Sequence, residues 1–445
     1  MTRRRMSPED SLWLELDRPT NQMVITSVLW TDSPVDPERL REVLRRRVLS
    51  RYPVFSQRPV VRSGLVRRGI WVDDIEFDLD RHLVVQQMPG RGDRAALQDF
   101  VAAQRSDPLD PAHPLWRVHL LQGYAGGSAL VQRYHHAMAD GIRLTQVMLA
   151  LLDPLDDGEV SLTAQVGGRM PARGLPGVAG AGLALLRTGV SALKIALWTN
   201  PDTALDGRPA LAKTAAWTDP LPLDRLSAVA HAAGVTVNDV CTTLVAGAVA
   251  RYLDSLDAPA RRLLPGDDDL AWMIPVNLDP PTAEPPPDLG NHFALVLAVL
   301  PHGPGAFRDR LAEVHRRIVR IRRSWEPVLT EVIAQGLAMM PTELGAALSR
   351  VLAAKAVGVL TNVPGPRTAM TLAGSRVTGV VGWAPPSGRE TMTVCIFSYA
   401  GGVTFGFGTD RSVLPDAQGF VDALDAEWAE ATGVVRAGAA GARSS

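Results

Sequence analysis

Cysteine is scarce in this chain, with only Cys241 and Cys395 among 445 residues. Neither has a partner at metal-ligand spacing, so the expectation is two reduced, buried thiols in a cytosolic protein rather than a disulfide framework. Charge of one sign is also lacking. Forty-six Lys+Arg stand against 47 Asp+Glu, for a formal net charge of -1. Nothing in that balance favours a polyanion, and nucleic-acid binding is not expected. No apolar run reaches the roughly 18 residues a membrane-crossing helix needs. The nearest, residues 175–186, is stopped by Arg187. Arg3, Arg4 and Arg5 lie near the start, but no apolar stretch follows them, so a secretory signal is not expected. These absences predict a soluble protein, or one attached to a membrane surface without crossing it.

What is present is an ordinary globular balance, 46% hydrophobic and 21% charged. The length exceeds one ordinary core, so two domains of roughly 200 residues each are expected. Strand-like and helix-like stretches alternate through the first half. Residues 23–30 are β-branched and apolar, and Asp36-Pro37 opens a helix whose buried face includes Leu40, Val43, Leu44 and Val48. Residues 115–121 and 129–134 read as paired strands around a Gly-rich turn. Gly and Pro are dense from about 153 to 219, where residues 182–198 form an apolar helix-like piece. That piece is either packed in an inter-domain connection or laid on a membrane surface. The expected division is 1–155, a connection over 156–219, a second domain over 220–435, and a flexible tail over 436–445.

The second half repeats the mixture. Thr236 is placed to cap a helix, with Asp239 three residues on. Phe307, Leu311, Val314, Ile318, Ile321 and Trp325 recur at helical spacing. The arginine-rich face opposite them is either a solvated surface or a contact for anionic lipid or a nucleotide. Strands are expected at 377–382, 391–398 and 402–408, and a last helix at 418–431. Interleaved strands and helices in both halves predict α/β architecture, with a site where the two domains meet.

One segment carries a specific chemical pattern: His135-His136-Ala137-Met138-Ala139-Asp140-Gly141, at the end of a strand. An alcohol is a poor nucleophile near neutral pH, and a neutral imidazole within hydrogen-bond reach can take its proton as it attacks a thioester. The same ring, once protonated, can return a proton to the departing thiolate. Asp140 can fold back if Gly141 allows a tight turn, either to fix that turn through an ion pair or hydrogen bonds or to orient the ring. His135 and His136 point to opposite faces of a continuing strand, so they cannot chelate one ion together and no metal site is expected.

His135-His136-x-x-x-Asp140-Gly141 resembles the active-site signature of the coenzyme-A-dependent acyltransferase superfamily, which includes condensation domains of peptide synthetases. Other pieces narrow the likeness: Ser7-Pro8-Glu9-Asp10, Pro19-Thr20-Asn21, Pro114-Leu115-Trp116, Asn238-Asp239 and Asn362-Val363-Pro364-Gly365-Pro366. Together, from about residue 6 to 432, they resemble bacterial wax ester synthase/diacylglycerol acyltransferases.

That resemblance implies two chloramphenicol-acetyltransferase-like domains, each a mixed sheet with flanking helices, and a tunnel between them. It implies His136 as catalytic base, His135 in support, and Asp140 and Gly141 in the same motif. It links Pro114, Leu115 and Trp116 to the acyl or alcohol pocket, although Trp116 reads equally as a core aromatic. It assigns Asn238 and Asp239 to active-site support, where a helix cap explains them as well. Asn362, Pro364 and Gly365 fall in a segment that is a rigid turn by composition and that borders the site in the family. The implied substrates are long-chain acyl-coenzyme A, as co-substrate rather than bound cofactor, and diacylglycerol or a fatty alcohol. The implied location is the cytoplasm, with peripheral contact to an inner membrane or lipid droplet as the alternative. Oxyanion donors are backbone N–H groups or a side chain such as Asn238. Two features depart from the family pattern: an acid, Asp279, where a basic residue is common, and Thr361 in place of serine. A carrier-protein-dependent condensation or polyketide-associated enzyme and a non-catalytic lipid-binding protein are the competing readings.

Overall fold

The computed structural model describes residues 3–62, 68–155, 198–256, 269–277, 285–291, 293–323, 336, 339–340 and 342–441. Strands are numbered here in chain order. Among the described residues a first seven-stranded sheet runs β5 (Leu83–Gln87), β6 (Trp116–Tyr124), β7 (Gly127–His135), β2 (Val24–Thr31), β15 (Ser375–Trp383), β14 (Met370–Leu372), β8 (Leu152–Pro154). A second runs β10 (Leu221–Pro222), β17 (Gly402–Thr409), β16 (Met392–Tyr399), β13 (Gly358–Pro364), β11 (Asp269–Asn277), β12 (Phe293–Pro301), with β9 (Ala216–Trp217) beside β17. A small sheet of β1 (Arg3–Arg5), β4 (Arg68–Asp73) and β3 (Gln57–Arg62) completes the set.

The expected division at residue 220 does not follow the sheets. β14 and β15 come from the second half of the chain yet pair into the first sheet, with Val380 opposite Leu29 and Trp383 opposite Thr26. The physical reason is the exposed edge that β2 would otherwise present, a row of unpaired N–H and C=O groups. β15 covers it, and in doing so ties the two halves together.

β16 forms the wall between them. Met392, Val394 and Ile396 enter the second core, while Cys395, Phe397 and Tyr399 enter the first. A strand buried on both faces suits a mostly apolar run, which residues 392–399 supply apart from Thr393 and Ser398. The opposite face of the first sheet is covered by helix Arg94–Ser106 through Leu97 and Val101, with Trp217 and Trp383 in the same cluster.

Several local expectations change. The Asn362–Pro364 segment is strand, not turn, and pairs in parallel with β16 (Asn362 with Ile396, Pro364 with Ser398). Its proline is tolerated near the strand's end, where the missing N–H costs little. The last helix runs Ala417–Gly441, so part of the expected tail is helical. Helix Phe307–Arg323 buries Phe307, Leu311, Val314 and Ile318 as its periodicity predicts. The apolar piece at 182–198, except Trp198, lies outside the described residues, as do Asp279 and Trp325. Among the described residues no single helix is long and apolar enough to cross a membrane.

Candidate active site

The histidine motif is pinned by backbone hydrogen bonds on both sides. β7 is buried along its whole length and ends at His135. The His135 N–H donates to the Leu115 carbonyl (2.9 Å), and the His136 N–H donates to the Met23 carbonyl (2.7 Å). The starts of β6 and β2 therefore fix where the two rings leave the sheet.

The rings take different surroundings. His135 accepts the Ala137 N–H at Nδ1 (3.1 Å), and its Nε2 lies 3.7 Å from the Asp17 carboxylate. Asp17 in turn accepts the Met23 N–H at 2.7 Å. His135 thus braces the turn. His136 clusters with two aromatic rings, stacked on Trp13 (centroids 4.1 Å apart) and tilted against Phe293 (5.3 Å), which are themselves 6.1 Å apart. Burial pushes its pKa down to about 4, so the ring is neutral near pH 7 and able to accept a proton.

One edge of the His136 ring is fixed by a residue the sequence did not flag. Its Nδ1 sits 2.9 Å from Asn291 Oδ1. The Asn291 amide donates from Nδ2 to the His136 carbonyl (2.8 Å) and to Asp10 Oδ1 (2.8 Å). Asp10 is buried, which raises its pKa to about 6 against the pull of its hydrogen bond from Asn291. Among the described residues no hydrogen-bond partner faces His136 Nε2.

Helix Pro8–Leu16 delivers two of these groups. Ser7 caps it by accepting the Asp10 N–H, and Asp10 and Trp13, three residues apart, share one face. The short sequence piece Ser7–Asp10 carried half of that signal, and Trp13 completes it. Asn291 reaches the site because Gly290 docks on the motif. Gly290 pairs with Ala139, accepts the Asp140 N–H (3.3 Å), and takes a φ of +64°, a backbone conformation that suits glycine.

Asp140 fixes the turn. It caps helix Gly141–Leu149, accepting the Ile142 N–H (3.0 Å) and Arg143 N–H (2.9 Å), with the Arg143 guanidinium 3.9 Å away. The tight-turn role expected of Gly141 is not needed. Gly141 opens the helix without positive φ, and an added Cβ would meet only Ile25 at 4.0 Å.

Trp116 is a core residue. It is 1% exposed, donates its indole N–H to the Phe55 carbonyl (2.8 Å) and stacks on His82 at 4.6 Å. Pro114 accepts the Trp116 N–H, and Leu115 holds the His135 backbone, so this segment supports the motif from beneath.

Asn238 and Asp239 divide their roles. Asp239 completes the capping box with Thr236 and also meets His315 Nδ1 at 2.8 Å. Asn238 Oδ1 accepts from the Asn362 amide at 2.9 Å, which joins two distant sequence pieces. Gly365 is required by close approach, since a Cβ there would fall 2.2 Å from the Ser398 carbonyl oxygen. Pro364 precedes it at the strand end, opposite Ser398. Thr361, in place of serine, keeps a hydroxyl bond to the Val394 carbonyl (3.4 Å). Among the described residues no hydrogen bond links Asn238, Asn362 or Trp116 to His136.

The second sheet parts beside this region. β11 and β13 pair only at Trp272–Gly358 and Met273–Val359, although both strands continue beyond those residues. The separated ends carry Asn277 on one side and Asn362 on the other, and Asn277 pairs with Phe293 at the His136 ring. Diverging parallel strands leave a crevice at their carboxyl ends, the usual place for a ligand in such sheets.

The sequence matches the wax ester synthase/diacylglycerol acyltransferase catalytic domain over residues 6–167 and the WS/DGAT C-terminal domain over residues 289–430. The chain belongs to the wax ester synthase/diacylglycerol acyltransferase family. A Mycobacterium tuberculosis protein named provisionally as a diacylglycerol O-acyltransferase is 28% identical over 455 residues, covering 96% of this chain and 98% of its own. A second from the same organism, named in similar terms, is 28% identical over 82% of this chain and 81% of its own. The wax ester synthase/diacylglycerol acyltransferase from Marinobacter aquaeolei VT8 has the same fold, with a TM-score of 0.71 at 24% identity over 97% of this chain and 99% of that one. The first condensation domain of the calcium-dependent antibiotic synthetase shares the fold at TM-score 0.62 and 16% identity, over 98% and 96% of the two chains. The architecture is therefore the two-part chloramphenicol-acetyltransferase-like α/β fold, and the family is one of acyltransferases.

Proposed function

We propose that this family member transfers a long-chain acyl group from coenzyme A to a lipid alcohol, diacylglycerol or a fatty alcohol, with His136 as general base. The observation that carries the reading is the state of one ring. His136 is neutral near pH 7, held at Nδ1 by Asn291, and has no hydrogen-bond partner at Nε2 among the described residues. In the proposed step Nε2 takes the hydroxyl proton while the alcohol oxygen bonds to the thioester carbon. The carbonyl π pair moves to oxygen. Collapse of that intermediate breaks the C–S bond, and the imidazolium returns its proton to the thiolate, giving ester and free coenzyme A. No acyl-enzyme is required.

A peripheral lipid contact fits the same reading, because both reactants are lipidic. Helix Thr342–Ala353 packs against helix Pro8–Leu16 and turns Gly345 and Ala353 inward. Three of its large apolar residues face outward: Leu344 is 50% exposed and Val351 58%, with Leu348 beside them. Exposed Arg350 and Arg389 lie at its carboxyl end, where Gly388 approaches the Arg350 carbonyl. An apolar stripe with cations at one end matches an anionic lipid surface, and we propose that the working enzyme sits there, on the cytoplasmic side.

The test is product analysis with palmitoyl-coenzyme A offered together with diolein and hexadecanol. The His136→Ala variant, folded by circular dichroism, should lose ester formation by roughly two to four orders of magnitude. Near-normal turnover in that variant refutes the assignment.

A further inference from the structure

We infer that Asn291 and Asp10 are positioning residues that lock His136 as the Nδ1–H tautomer, leaving the Nε2 lone pair for the substrate hydroxyl. The significance of the lock rests on His136 being the base, but the lock itself is a statement about hydrogen bonds and is tested separately.

An amide can turn either way round, and its neighbours decide. The Asn291 NH2 group meets the His136 carbonyl oxygen and an Asp10 carboxylate oxygen, both acceptors, at 2.8 Å each. The amide oxygen must then face the ring at 2.9 Å. An amide oxygen accepts and cannot donate, so the ring nitrogen opposite it carries the proton. The partner of one ring nitrogen thus sets the state of the other.

Asp10 holds the amide in that orientation. Were its carboxylate replaced by an apolar group, the Asn291 NH2 would keep only the His136 carbonyl and the amide could turn. Helix Pro8–Leu16 makes the arrangement rigid, because it carries Asp10 and also the Trp13 ring stacked on His136. The charged and polar groups around Asp10 are Asn291, Ser7 and Arg4. The partner of the ring is a neutral amide, not a carboxylate as in Ser-His-Asp enzymes. An amide oxygen fixes the tautomer without strongly favouring the imidazolium, which agrees with a ring that stays neutral well below pH 7.

The test uses the whole protein labelled with 15N-histidine. Two-bond nitrogen–proton spectra distinguish the two neutral tautomers, and the His136→Gln variant assigns the signal. The wild type should show Nδ1–H at His136. Asp10→Asn should keep it, because an amide oxygen at position 10 still accepts from Asn291. Asn291→Leu should shift the ring toward Nε2–H or a mixture, with kcat lowered roughly ten- to a hundredfold and KM for acyl-coenzyme A within about twofold. Asp10→Leu reads the same lock without touching His136, should Asn291→Leu not fold. A wild-type ring protonated at Nε2, or an unchanged Nδ1–H tautomer in both leucine variants, overturns the inference. Full turnover in His136→Ala would instead remove the general-base reading and leave the tautomer result standing.

Discussion

Replacing Trp116 with phenylalanine separates a pocket role from a packing role. The indole N–H donates to the Phe55 carbonyl at 2.8 Å inside a core where Trp116 is 1% exposed. Phenylalanine leaves that carbonyl without its partner, at about 1–3 kcal/mol for a buried group. It also removes about 40 Å3 of side chain, worth about 1 kcal/mol at roughly 24 cal/mol per Å3 if the site does not collapse. The sum is about 2–4 kcal/mol. With about 2.1 cal/mol/K of unfolding entropy per residue, a 445-residue cooperative unit has about 0.9 kcal/mol/K. The melting temperature should therefore fall by about 2–4 °C, and by more if the first half unfolds by itself. Calorimetry gives the shift, and steady-state assays at 25 °C should give KM values for acyl-coenzyme A and for the alcohol within about twofold of wild type. A variant that melts like wild type but has a tenfold higher KM for either substrate would refute the core assignment and return Trp116 to the pocket wall.

Three further outcomes follow from the geometry. Glu390 is buried, and burial raises its pKa from 4.5 to about 8. The folded state binds this proton more tightly, so its stabilisation is present below pH 4.5 and is lost as pH rises through 8. The stability of wild type relative to Glu390→Gln should fall by up to about 5 kcal/mol between those limits, and a difference that is flat with pH in urea titrations rejects the neutral acid. Asp140→Ala removes the acceptor for two helix N–H groups and should cost about 1–2 kcal/mol, whereas Asp140→Asn keeps the cap and most of the turnover. A loss of activity in Asp140→Asn as large as in Asp140→Ala would show that the charge matters more than the cap. Leu344→Glu with Leu348→Glu should abolish co-flotation with phosphatidylglycerol vesicles while leaving acyl transfer to a short soluble alcohol unchanged. Undiminished flotation places lipid contact elsewhere.

The predicted strands and helices whose residues are described were largely legible because they rest on local patterning. Residues 391–398 read as a strand, one residue off the observed Met392–Tyr399, and helix Phe307–Arg323 read from its spacing of four and three. The histidine motif was legible because its residue types and spacing are specific. Asn362–Pro364 was misread because proline and glycine signal a turn locally, while the pairing with β16 that makes it a strand comes from a segment more than thirty residues away. Helix Thr342–Ala353 went unread, because Leu344, Leu348 and Val351 face outward while the inward Gly345 and Ala353 are small.

By itself the sequence determined the elements, the motif and the family, since each is written in neighbouring residues. Only the tertiary structure decided which groups serve the ring. Asp10, Trp13 and Asn291 meet at His136 across as many as 281 positions of separation. β15 crosses from the second half into the first sheet, and Trp116 turns inward to Phe55 and His82. Hydrogen bonds and ring stacking act over a few ångströms in space, and no local pattern records which distant segments the fold will bring that close.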